Sequence, residues 1–344
     1  MDIESIRTAA SIIEGVAART PMLSKTGLDE IVGTELYVKC ENLQHGGSFK
    51  LRGAYTQMAR LTEAERRKGV VTYSSGNHGI GVALAGHLLG IDVVVFLPDD
   101  VSPTKRQGIE SLGATIVEYD PRTRDRDELL LEPAAVGRTP VPPYDNANAI
   151  AGQGTVGLEI ATQAADADVV LVPVGGGGLI AGIAVAVKAM LPGVTVIGVE
   201  PAGADDTRQS RSSGKRVRIN HPTTVVDSLR TPTPGRLTFP IVQNLVDDIV
   251  TVEDSTVLSA MTDLFNVCHI VAEPGGAVGL AAIQEGKIDT AGKKVCTVVS
   301  GGNISARSFM EVIHHGAGQT PAVSAAPADG AKREEARNER DLVL

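Results

Sequence analysis

Two hydrophobic periods alternate along most of this chain. Short, nearly continuous apolar runs at 36–40, 70–73, 92–97, 114–119, 169–174, 195–199 and 293–299 read as buried strands. Between them, apolar positions recur every three or four residues, as at Phe49, Leu51, Tyr55, Met58 and Leu61, and again over 78–89, 103–112 and 179–191. These read as helices. Strand–helix–strand alternation predicts parallel sheets with helices on both faces. The pattern divides into two such sheets, which predicts two domains: 1–64 with 146–316, and 65–145. From 317 to 344 the chain turns small and breaker-rich, then mixed in charge, which predicts a disordered tail.

Composition narrows the function. A chain of 344 residues suits two packed domains, and 42% apolar residues with 38 glycines and no tryptophan fit an α/β protein. A net charge of −9 without a basic stripe excludes a nucleic-acid partner, and Arg122, Arg124 and Arg126 are interleaved with aspartates. The best candidate for a membrane span, 179–191, is short and broken by Lys188, so no membrane partner is expected. The acidic, amphipathic N-terminus is unlike a secretory signal, and Cys40, Cys268 and Cys296 lack metal-ligand spacing. Buried, reduced thiols in a cytoplasmic protein are the expectation.

The candidate chemistry lies where strands turn into helices. Lys50, in Gly47-Ser48-Phe49-Lys50-Leu51-Arg52-Gly53-Ala54, stands at a helix start, where the dipole disfavours a cation. Burial adds to this push toward the neutral amine, which can attack an aldehyde to form a Schiff base. Gly175-Gly176-Gly177-Gly178 follows a strand and opens a helix, so successive amides can turn onto one phosphate. Ser74-Ser75-Gly76-Asn77-His78 reads equally as a carboxylate-binding turn or a helix cap. Glu200, Asp205 and Asp206 could share a hard cation, although a solvated acidic loop is the plainer reading. Gly152, Gly154 and Gly157 spell a dinucleotide fingerprint without a preceding strand; they read as helix-packing glycines.

In this order these segments resemble the fold-type II pyridoxal-phosphate enzymes, specifically the threonine/serine dehydratase and serine racemase family. Ile150 to Thr155, Gly198-Val199-Glu200-Pro201 and Ser300-Gly301-Gly302-Asn303 complete the match over about residues 5–315. The resemblance implies two three-layer αβα domains of the tryptophan synthase β-like kind and a homodimer. It implies pyridoxal 5'-phosphate bound covalently to Lys50, with Phe49 on the ring, Asn77 at the ring hydroxyl, Gly175 to Gly178 at the phosphate and Ser300 at the pyridine nitrogen. Ser75 would face Cα opposite the lysine, and Ser74, Ser75, Asn77 and His78 would bind the substrate carboxylate. Glu200, the Ala204 carbonyl and Asp206 match a site for Mg2+ or another divalent cation. Gly275, where the family more often carries Ala, Ser or Thr, departs from the pattern, as does His269. The regulatory domain of biosynthetic threonine dehydratases is not expected. The implied activity is dehydration of L-threonine or L-serine, with serine racemase or threo-3-hydroxyaspartate ammonia-lyase as alternatives; a non-catalytic cofactor-binding protein is the contrasting class.

Overall fold

The computed structural model describes residues 1–74, 76–99, 101–120, 123–124, 129, 132 and 135–315. Ser75, Arg122, Arg126 and the predicted tail lie outside the described residues. Strands β1 (Met22–Leu23), β2 (Glu35–Cys40), β7 (Val169–Pro173), β8 (Thr195–Pro201), β9 (Asp248–Val252) and β10 (Lys294–Val299) form a six-stranded sheet in the order β1-β2-β10-β7-β8-β9. Every pairing in it is parallel except β1 with β2. Strands β3 (Val70–Tyr73), β4 (Val93–Pro98), β5 (Thr115–Tyr119) and β6 (Thr139–Pro140) form a second, wholly parallel sheet in the order β5-β4-β3-β6.

The apolar runs are continuous because both faces of each sheet are covered. Along β7, Val169 and Leu171 face one core with helices Asp254–Cys268 and Pro274–Gln284, while Val170 and Val172 face another with Ala147–Gln163 and Gly178–Met190. In the smaller sheet Val70, Val93, Val95 and Leu97 pack toward Asn77–Leu89, and Val71, Val94 and Phe96 pack on the opposite face. Strand and helix ends fall within a few residues of the sequence expectation. The short β1 and β6 and the edge strand β9 were not expected. Gly152, Gly154 and Gly157 lie on helix Ala147–Gln163, facing the backbone or side chains of neighbouring helices. Cys40 and Cys296 are buried, whereas Cys268 is only half-buried, which corrects the expectation of three buried thiols. Among the described residues, no helix is long and apolar enough to cross a membrane.

A buried ion cluster fixes how helix Lys50–Ala59 begins. Arg52, 1% exposed, donates through Nε and Nη2 to both oxygens of Glu41 at 2.8 Å and through Nη1 to Glu159 at 2.7 Å. Lys39 completes it, with Nζ 2.5 Å from Glu159 and 2.8 Å from the Thr20 carbonyl. Two acids and two bases therefore balance, and the forked guanidinium locks the helix to β2 and to helix Ala147–Gln163.

Candidate active site

The carboxyl ends of β3, β7 and β10 converge on one cavity, the place where parallel sheets present ligand sites. After β2 the chain makes two tight turns and then starts helix Lys50–Ala59. Its start is tied to the end of β10: the Phe49 amide donates to the Ser300 carbonyl at 3.2 Å, and Ser48 bridges Gly301. Lys50 Nζ donates to the Pro143 carbonyl at 3.3 Å and sits 4.9 Å from the Phe49 ring centre. Burial pulls its ammonium down to about 8, against the opposing pull of the Glu273 carboxylate.

Beyond β7, none of the amides of Gly175 through Leu179 donates to an acceptor among the described residues. They face the cavity at the start of helix Gly178–Met190. A Cβ at Gly176 would enter the Tyr144 ring, and one at Gly178 would lie 2.8 Å from Tyr144 Cβ. The turn is braced from outside: the Gly176 carbonyl accepts from Thr238 Oγ1 at 2.7 Å and from the Gly235 amide at 3.2 Å.

In the serine-rich turn, Ser74 is a cap. Its Oγ accepts from the amides of Gly76 at 3.0 Å and Gly79 at 2.8 Å. The amides of Asn77 and His78, at the helix start, have no acceptor among the described residues. His78 donates through Nε2 to the Val141 carbonyl at 2.8 Å, leaving Nδ1 buried and without a partner among the described residues. Burial and the Lys50 charge hold its imidazole down at about 3, so the ring is neutral. Asn77 donates through Nδ2 to Glu273 and accepts at Oδ1 from Asn303 Nδ2 at 2.9 Å. Ser300 Oγ donates to the Gly275 carbonyl at 3.2 Å.

Phe49, Lys50, Ser74, Asn77, His78, Gly175 to Gly178 and Ser300 thus line one cavity. The sequence reading missed Tyr144, Gln153, Asp227 and Glu273 in its wall, and Lys105 behind them. Lys105 Nζ lies 2.6 Å from Asp227 and 3.8 Å from Glu273, tying helix Pro103–Glu110 to the cavity wall. Burial opposes the Lys105 charge, but Glu273 and Asp227 hold its ammonium above its ordinary value. Burial pushes Glu273 up to about 7, against the Lys105 charge. The one available signal was an acid directly before Pro274 at a helix start.

Glu200, Ala204 and Asp206 sit apart from this cavity. Here the plainer reading, a solvated loop, fails: Glu200 and Asp206 are both 0% exposed. Glu200 accepts the amides of Thr207 at 3.0 Å and Arg208 at 2.9 Å, while both Asp206 oxygens lack partners among the described residues. Burial raises both carboxyls above their usual range, and Glu200 raises Asp206 further. Asp205 pairs instead with Arg208 at 2.7 Å. Among the described residues no three His, Cys, Asp or Glu side chains gather as metal ligands, so the pair would need backbone oxygens to complete a site.

An unpaired amide cup, a neutralisable amine and a hydroxyl in one cavity fit the phosphate, aldehyde and pyridine of pyridoxal phosphate. Comparison with known proteins agrees. Over 319 residues the chain is 39% identical to a serine racemase of Oryza sativa subsp. indica, covering 91% of this chain and 94% of that protein. It is 38% identical over 306 residues to an L-threo-3-hydroxyaspartate ammonia-lyase of Pseudomonas sp, covering 89% and 96%. The solved processed form of threonine deaminase isoform 2 from Solanum lycopersicum superposes with a TM-score of 0.82 at 34% identity, covering 91% of this chain and 89% of that one. Residues 13–301 match the pyridoxal-phosphate dependent enzyme family, and with the cavity built as it is, the chain belongs to that family.

Proposed function

We propose that this enzyme is a lyase that dehydrates L-threonine, L-serine or both, releasing 2-oxobutyrate or pyruvate with ammonia. The observation that carries this reading is Lys50, whose buried amine shares a cavity with the unpaired amides of Gly175 to Gly178. When bound, pyridoxal phosphate supplies the aldehyde for imine formation and a ring that delocalises the electron pair left at Cα. The cup amides would hold the phosphate at the helix start. Asn77, fixed by Glu273 and Asn303, has a second Nδ2 hydrogen to donate to the ring hydroxyl. Phe49 would cover the ring, and the Ser300 hydroxyl would be a neutral partner for the pyridine nitrogen. The substrate carboxylate takes the free amides of Asn77 and His78 with the hydroxyls of Ser74 and Ser75, while the His78 ring stays on Val141. The Lys50 amine, free at Nζ while substrate is bound, would take the Cα proton. Elimination then releases water that the final hydrolysis consumes, so the net products are keto acid and ammonium.

Lys50→Ala abolishes keto acid formation; turnover at the wild-type rate would refute the assignment. The rice relative supports a second reading, serine racemase, with Ser75 facing Cα. Chiral analysis of residual serine separates the two, because a pure lyase leaves no D-serine. Glu200, the Ala204 carbonyl and Asp206 are assigned to a divalent cation, supported by the two bare Asp206 oxygens. The family resemblance supports a homodimer, which sedimentation equilibrium would test.

A further inference from the structure

The glycine cup and the strap beside it are tied into one circuit of contacts. The strap, Val141 to Asp145, joins β6 to helix Ala147–Gln163. Buried side chains pin its carbonyls. Val141 accepts from Thr72 Oγ1 and His78 Nε2, each at 2.8 Å, Pro142 from Gln57 at 3.2 Å, and Pro143 from Gln153 at 3.0 Å. Held this way, the strap sets Tyr144 against the cup. Its next residue, Asp145, accepts the amides of Arg236 at 2.8 Å and Leu237 at 2.7 Å, just before helix Thr238–Leu245. That same turn holds the cup, because Gly235 and Thr238 both donate to the Gly176 carbonyl.

The four glycines of the cup are bare for different reasons. Gly177 has φ +88°, a conformation that strains any residue with a side chain. At Gly175 a Cβ would lie 3.1 Å from Thr231 Oγ1, a contact that a small shift relieves. At Gly176 and Gly178 the obstacle is Tyr144: its ring fills the place of one Cβ, and its own Cβ lies 2.8 Å from the other. Gln153 Oε1 crowds Gly178 as well. Neither glycine needs a bound phosphate to explain it.

We propose that Tyr144 and Asp145 are positioning residues that clamp the cup in its phosphate-binding shape, and that Gly176 and Gly178 are bare because Tyr144 occupies the space of their side chains. This rests on the assignment of the phosphate to the cup. A loop of four glycines has more freedom to lose than any other, so an unclamped cup would have to be ordered by the ligand, which weakens binding. A clamp orders the amides beforehand. The gain falls on the phosphate alone, since the aldehyde and ring meet other residues.

The test measures binding to cofactor-free enzyme by equilibrium dialysis, with pyridoxal 5'-phosphate and with pyridoxal, which lacks the phosphate. Tyr144→Ala and Asp145→Ala each lower the preference for the phosphorylated form by about tenfold or more, and leave pyridoxal affinity within about twofold. Tyr144→Phe keeps the preference, because the clamp uses the ring. Equal losses for both ligands, or a preference within about twofold of wild type in both alanine variants, overturn the clamp. A wild-type enzyme that binds the two ligands equally overturns the phosphate assignment instead. A second measurement tests the glycines. Gly176→Ala lowers pyridoxal 5'-phosphate affinity about tenfold or more in the wild-type background, but by no more than about twofold once Tyr144→Ala has vacated the space. The same loss in both backgrounds overturns this account of the glycines.

Discussion

At Lys50 burial and the start of a helix both penalise the ammonium, and Glu273 only partly offsets them. The sign is that of a base whose value is depressed on folding: the free amine dominates above about 8 and is lost as pH falls through that point. At neutral pH the fraction of reactive amine is roughly 300-fold larger than for an ordinary lysine. The rate at which cofactor-free enzyme takes up pyridoxal phosphate, followed by absorbance, should therefore rise with pH around a midpoint near 8. A midpoint near 10 would remove this account. Gly178→Ala places a methyl group against Tyr144, and equilibrium dialysis should show cofactor affinity falling at least about tenfold. Lys50 and the glycine cup were legible because position relative to a strand end decides their chemistry. Glu273 and Lys105 were not. Their partners Asn77 and Asp227 lie 196 and 122 residues away, and no local period records such a meeting.

Helix Lys50–Ala59 is positioned by charge in its first turn, through Arg52. Removing Arg52 leaves Glu41, at 0% exposure, without its cation, while Glu159 keeps Lys39. Arg52→Met should therefore cost about 3–5 kcal/mol in denaturant unfolding, since breaking a buried pair leaves an uncompensated charge. A loss below about 1 kcal/mol would mean the cluster contributes little net energy. The apolar runs made the central strands readable because both their faces are buried. Two-residue strands such as β1 and β6 are too short to display a period, and β9 buries only Ile249 and Val252. The motif containing Arg52 was visible, but its ionic role depends on Glu159, more than a hundred residues away.

Across the whole molecule, division into two parallel sheets could be read from strand–helix alternation, and the cavity lies where strands of both end. The distant carboxylate pair gives a test at this scale. Glu200 and Asp206 are raised on folding, so without metal their contribution to stability is full below the ordinary carboxylate range and is lost as pH rises and they ionise. A divalent cation removes that penalty. Added Mg2+ should raise the melting temperature more at pH about 8.5 than at about 5.5, and a chelator should reverse it. Equal responses to Mg2+ at both pH values would argue against the site.

The bridge between Ser48 and Gly301 has a consequence for how the enzyme is made. Lys50 leaves the ribosome well before β10, the strand that seats it. Capture of the vitamin must await synthesis through Gly301, so a nascent chain stalled before that point should emerge unable to retain its coenzyme.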